Sequence, residues 1–121
     1  MRLLLTISLA LWLSNAQAES MRLLVQSSPL AGSQFYALEA FWQEIRVGDE
    51  LTLIREPNNR HDRRAIRVEW RGHQLGYVPR AQNRVTAEAM DAGERLSARV
   101  SAISDNKNPW LRVAFEVFIE L

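Results

Sequence analysis

Apolar and polar residues alternate along much of the chain, which is the spacing of strands that bury one face. Residues 51–55 place Leu51 and Leu53 on one side. Ile66, Val68 and Trp70 alternate with Arg67, Glu69 and Arg71; Gly72 then turns the chain and residues 74–78 return, so the pair reads as a hairpin. Leu96, Ala98, Val100 and Ala102 alternate with Arg95, Ser97, Arg99 and Ser101. The last stretch alternates to the end through Leu111, Val113, Phe115, Val117, Ile119 and Leu121. Nearer the start, residues 21–26 read as a strand and residues 27–33 as a loop punctuated by Pro29 and Gly32. The apolar, aromatic residues 34–42 read as a further strand. Residues 47–50 and 105–109 are turns, and residues 56–62 cannot form a regular element, because Pro57 lacks a donor and paired Asn residues favour turns.

One segment has a helical period. Pro79 stands at its start, Ala81, Val85 and Ala89 follow every fourth residue, and Gly93 is a C-terminal stop. The sum is a mainly β fold: a small six-stranded barrel, OB-like or SH3-like, with one or two short helices. Closure would leave no strand edge exposed.

The chain has 121 residues, enough for one domain with a core, and its 47% apolar and 24% charged residues are ordinary for a globular protein. Cysteine is absent, which excludes disulfides, thiolate metal sites and a cysteine nucleophile. The two histidines, His61 and His73, lie in no HExxH spacing, and no GxxxxGK[ST] phosphate loop is present. No metal, cofactor or catalytic constellation is expected. Residues 1–18 have the layout of a secretory signal peptide: Arg2, an apolar run from Leu3 to Leu13, and Ala16-Gln17-Ala18 as a cleavage pattern. The apolar run is short for a membrane span. This reading gives a domain over residues 19–121 in a periplasmic or secreted protein. A start at Met21 would make the protein cytoplasmic instead.

Charge is uneven. The net value is only +1, yet residues 55–84 hold eight Arg against Glu56, Asp62 and Glu69. Lys107 is the one Lys in the chain. Arg grips phosphate with a two-pronged fork and stacks on bases, so this segment suits nucleic acid; a solvated sheet face with scattered Arg is the plainer alternative.

The stretch Leu51-Thr52-Leu53-Ile54-Arg55-Glu56-Pro57-Asn58-Asn59-Arg60-His61-Asp62-Arg63-Arg64-Ala65-Ile66-Arg67-Val68 resembles the signature of the HIRAN domain family. That pattern is a strand ending in Arg-acid-Pro, then Asn-x-x-x-Asp, a short gap, and Ala-Ile-x-Val. Gln74-Leu75-Gly76-Tyr77-Val78-Pro79 resembles the family's step into its helix, and Gly32-Ser33-Gln34-Phe35-Tyr36 the segment carrying its paired aromatics. The resemblance extends over residues 25–121. It implies a noncatalytic module that binds single-stranded DNA at 3′ ends.

It also implies roles for particular residues. Asp62 would accept a hydrogen bond from a terminal ribose hydroxyl and repel a phosphate in the same place; alone, it would equally cap a turn. Asn59 and His61 share that loop, Asn59 as a sugar contact or as a loop former and His61 as a turn residue beside the strand end. Phe35 and Tyr36 match base-stacking positions, although neighbours on a strand point to opposite faces and only one of the two could stack. Tyr77 and Arg80 flank the helix start, where phosphate contacts are implied. Trp110, exposed in the last hairpin, corresponds loosely to another stacking position. Gln34 departs from the basic residue some members carry. The rival reading, prompted by the leader, is an exported interaction module that keeps the barrel and binds an envelope protein or another ligand. The oligomeric state is not legible.

Overall fold

The computed structural model describes residues 21–33 and 36–121. The leader read over residues 1–18, and the positions Gln34 and Phe35, lie outside the described residues. Six strands form: β1 (Arg22–Pro29), β2 (Glu50–Arg55), β3 (Ile66–Trp70), β4 (His73–Tyr77), β5 (Leu96–Ile103) and β6 (Val113–Glu120). Two helices interrupt them, α1 (Leu38–Phe41) and α2 (Arg84–Asp91), with single 3-10 turns at Arg80–Gln82 and Pro109–Leu111. The strands make one antiparallel sheet in the order β1-β6-β5-β2-β3-β4. Its core buries Trp70, Phe115, Leu75, Ile66 and Val100. The fold is mainly β and OB-like in character.

The barrel is not closed by a continuous ladder, which corrects the expectation of a sheet without edges. Among the described residues, the two edges of the sheet meet only at an isolated bridge between Ala31, just past β1, and Tyr77 at the end of β4. There the two backbones exchange bonds of 2.8 and 2.9 Å. Gly76 is what permits the meeting, since a Cβ at this position would stand 2.6 Å from the Ala31 carbonyl oxygen. Elsewhere along the opening, side chains fill in. Gln26 Nε2 donates to Ser28 Oγ (2.7 Å), Ser28 Oγ donates to Gln82 Oε1 (2.8 Å), and Thr86 Oγ1 donates to Gln26 Oε1, so β1 is bonded to the helical segment.

Residues 36–42, the described part of the expected strand over 34–42, are not a strand. The chain from Leu38 forms α1, and Leu38, Phe41, Trp42 and Ile45 pack on the core at helical spacing. Their aromatic content suggested a strand, but their period decides. β1 also runs three residues beyond its expected end, through Ser27, Ser28 and Pro29. A bulge between Leu24 and Gln26 shifts its register, and Pro29 is tolerated because it lies on an edge. A second bulge, between Val100 and Ala102, turns Ala102 outward and lets Ile103 pack on the core.

In α2 the expected apolar face is wrong. Val85 is 62% exposed, while Asn83, Thr86 and Ala87 are buried and Met90 packs on the core. The stop at Gly93 holds: with φ +83°, its N–H donates to the Met90 carbonyl (3.0 Å) and that of Glu94 to the Ala89 carbonyl (3.0 Å), the paired bonds of a Schellman ending. The β3–β4 hairpin turns on Arg71 (φ 48°) and Gly72 (φ 81°), both left-handed, as a two-residue type I′ turn requires. The Leu121 N–H donates to the Met21 carbonyl at 2.9 Å, bringing the first and last described residues together. Among the described residues, no helix is long and apolar enough to cross a membrane.

Candidate nucleic-acid interface

The irregular loop between β2 and β3 is held at both ends and in its middle. At the base, the Glu56 N–H donates to the Ala65 carbonyl at 2.9 Å. Within the loop, Asn59 Oδ1 accepts from the N–H groups of His61 (2.9 Å) and Asp62 (3.2 Å), and Asp62 Oδ1 accepts from the Arg64 N–H (2.9 Å). These local bonds are what Asn and Asp contribute to turns. From outside, Arg55 donates to the carbonyls of Ala65 (2.9 Å) and Arg63 (3.1 Å) and forms a two-pronged pair with Asp91 of α2 (2.9 and 3.1 Å).

Asn83, at the start of α2 and 2% exposed, donates Nδ2 to Asp62 Oδ2 at 2.7 Å. Asp62 is thus clamped between a backbone N–H and a buried amide. Burial is the largest influence on this carboxyl and works against its charge. The Arg64 N–H, the Asn83 amide and the charges of Arg80 and Arg64 together outweigh it and hold the group below its ordinary value. Asp62 is therefore an anion at neutral pH, and each oxygen has already accepted one bond, leaving one lone-pair direction apiece.

A cleft of about 300 Å³ opens beside this loop, and Tyr36, Asn59, His61, Asp62, Tyr77 and Arg80 are among its lining. The rings of Tyr36 and Tyr77 meet edge to face at 5.8 Å, and Tyr36 is 37% exposed. Tyr77 Oη donates to Glu56 Oε1 at 2.9 Å, the same oxygen that accepts from Asn59 Nδ2 (2.9 Å); Arg67 Nη1 lies 3.3 Å from Glu56 Oε2. Burial, then the bond to Glu56, push the Tyr77 phenol up to about 12, so it stays neutral. A polar basin adjoins the cleft, lined by Pro57, Asn58, Arg60 and Arg63 together with the shared Asn59, His61, Asp62 and Arg80.

Six of the side chains singled out in the sequence therefore share one cleft: Tyr36, Asn59, His61, Asp62, Tyr77 and Arg80. Trp110 does not join them. It is 42% exposed, as expected, but stands in the 3-10 turn before β6, over a separate groove with Pro29, Leu111 and Val113. Asn59 is engaged at both ends of its amide, which is the loop-forming role. Glu56 and Asn83 were not singled out as site residues, although they fix Tyr77 and Asp62. Glu56 stood in the Arg-acid-Pro pattern, which was the available signal; nothing local marks Asn83. Among the described residues, no group of three or more His, Asp or Glu side chains is placed to hold a metal ion.

The model of the HIRAN domain family matches residues 23–121. Among solved structures, the chain is similar to a protein from Lactobacillus plantarum, with a TM-score of 0.73 and 28% identity over 84% of this chain and 99% of that one. It is also similar to the HIRAN domain of human HLTF, with a TM-score of 0.61 and 20% identity over 81% of this chain and 78% of that one. No curated protein matches it.

Proposed function

Because the chain belongs to the HIRAN domain family, whose members bind DNA, we propose that it is a noncatalytic module whose aromatic cleft takes the 3′ end of single-stranded DNA. The observation that carries this reading is the convergence of Tyr36, Asp62, and the neighbouring pair Tyr77 and Arg80 on one cleft from three separate parts of the sequence. Each supplies a distinct recognition chemistry. Tyr36 offers a partly exposed ring for a base, and a stacked base contributes about 1–3 kcal/mol. Arg80 offers a forked cation for a phosphate. Asp62, anionic and rigidly held, accepts a hydrogen bond from a terminal hydroxyl and repels a phosphate in that position.

Fluorescence anisotropy with labelled oligonucleotides tests it. A single strand with a free 3′-hydroxyl is expected to bind more tightly than the same strand with a 3′-phosphate, and both more tightly than a blunt duplex. Asp62→Asn should bring the two single strands close to equal affinity. Equal binding of the two by the unaltered protein would overturn end recognition, and no binding of either would overturn the nucleic-acid reading.

A further inference from the structure

Next to the aromatic cleft lies the polar basin of about 650 Å³, whose lining includes Arg60, Arg63 and Arg80. Other Arg residues of the same segment are neutralised within the protein: Arg55 by Asp91, Arg67 by Glu56 and Glu69, Arg84 by Glu88. Among the described residues, Arg60, Arg63 and Arg80 have no carboxylate at ion-pairing distance. Three guanidinium groups around one depression, with polar surroundings and the imidazole of His61 as its one aromatic ring, are matched to a compact anion with several oxygens more than to a base.

Asp62 stands at the seam, lining both the basin and the cleft. Its charge is held on by Arg64, Asn83 and Arg80. A continuous strand running from the cleft into the basin would carry a phosphodiester past that carboxylate, and like charges at close range oppose this path. The cleft and the basin are therefore matched to two different chain ends. Building on the end-binding reading above, we infer that the basin takes the 5′-terminal phosphate of a second strand abutting the gripped 3′ end, so that the protein holds both sides of a strand break. A terminal phosphate carries more negative charge than an internal one and so gains more from the three cations, Arg60, Arg63 and Arg80, which outnumber the one carboxylate, Asp62, that also lines the basin.

The test uses a nicked duplex with a short frayed 3′-hydroxyl flap, its abutting strand ending in either a 5′-phosphate or a 5′-hydroxyl, compared with the single strand alone. The unaltered protein should bind the phosphate form about tenfold more tightly. The double variant Arg60→Gln/Arg63→Gln, altered only in exposed loop side chains, should lose that advantage while keeping single-strand affinity within about twofold. Equal binding of the two nicked duplexes by the unaltered protein would overturn the inference. So would a variant that weakens the single strand as much as the nicked duplex, because the basin would then lie along the same strand. Failure of the end-binding reading shows separately, as loss of preference for a 3′-hydroxyl over a 3′-phosphate on the single strand.

Discussion

Glu56 Oε1 accepts from both Tyr77 Oη and Asn59 Nδ2, so one oxygen sets the aromatic wall and the loop in register. Tyr77→Phe removes one of those bonds and should lower stability by about 0.5–1.5 kcal/mol. The Tyr77 phenol is raised from 10.0 to about 12 in the fold. The stability this represents is complete below the unfolded value and lost as pH rises through the folded one. Melting temperatures should fall between these two values for the unaltered protein, and less steeply for Tyr77→Phe. Asp62 runs the other way: its folded value is depressed, so its contribution is present above the ordinary carboxylate value and lost as pH falls through the folded one. Asn83→Ala should raise the Asp62 titration midpoint, read by carboxyl carbon NMR, and shrink the loss of stability in acid. Asp62 and Tyr77 were legible because their neighbours in sequence form a recognisable pattern. The Asp62–Asn83 bond spans 21 residues and is a product of tertiary packing, which local spacing does not encode.

At the scale of elements, alternation identified the central strands well, because a half-buried sheet imposes period two on its sequence. It failed where the backbone departs from that period. The bulges in β1 and β5 shift the faces by one residue, and α1 carries its apolar residues at helical spacing under an aromatic composition. The helical segment was found, but with the wrong face inward, because its buried side includes Asn83 and Thr86, whose polarity is satisfied by Asp62 and Gln26. Gly76 is an exacting position in β4, since the Ala31 carbonyl occupies the space a Cβ would need. Gly76→Ala forces a methyl against the Ala31 carbonyl and should lower stability by about 1–3 kcal/mol. Faster amide exchange at Ala31 and Tyr77 than at β5 and β6 would place the damage at the bridge; uniform loss of protection would contradict that placement.

Across the whole molecule, the net charge of +1 conceals a local concentration of cations. Self-neutralising pairs remove several Arg residues from account and leave Arg60, Arg63 and Arg80 around one depression. The sequence count alone could not make that division, since pairing depends on the fold. Affinity for single-stranded DNA should fall as salt rises, because each neutralised phosphate releases counterion. Arg80→Ala should reduce the slope of log affinity against log salt by about one while leaving preference among base sequences unchanged; an unaltered slope would remove Arg80 from the phosphate path. The barrel architecture was legible from strand number and length, but the opening between β1 and β4 was not, because it depends on how far each edge reaches.

The hydrogen bond from Leu121 to Met21 has a consequence for how this domain can be rearranged. The first and last described strands, β1 and β6, lie side by side, and Met21 and Leu121 meet beyond them. A short linker from Leu121 to Met21 would therefore join the ends with little strain, and fresh ends could be cut in the exposed turn at residues 105–108, away from the cleft. Such a circular permutant should fold and keep its cleft. The same adjacency suits the domain to grafting as a cassette into a surface loop of a host protein, whose two loop stems need be no further apart than neighbouring strands.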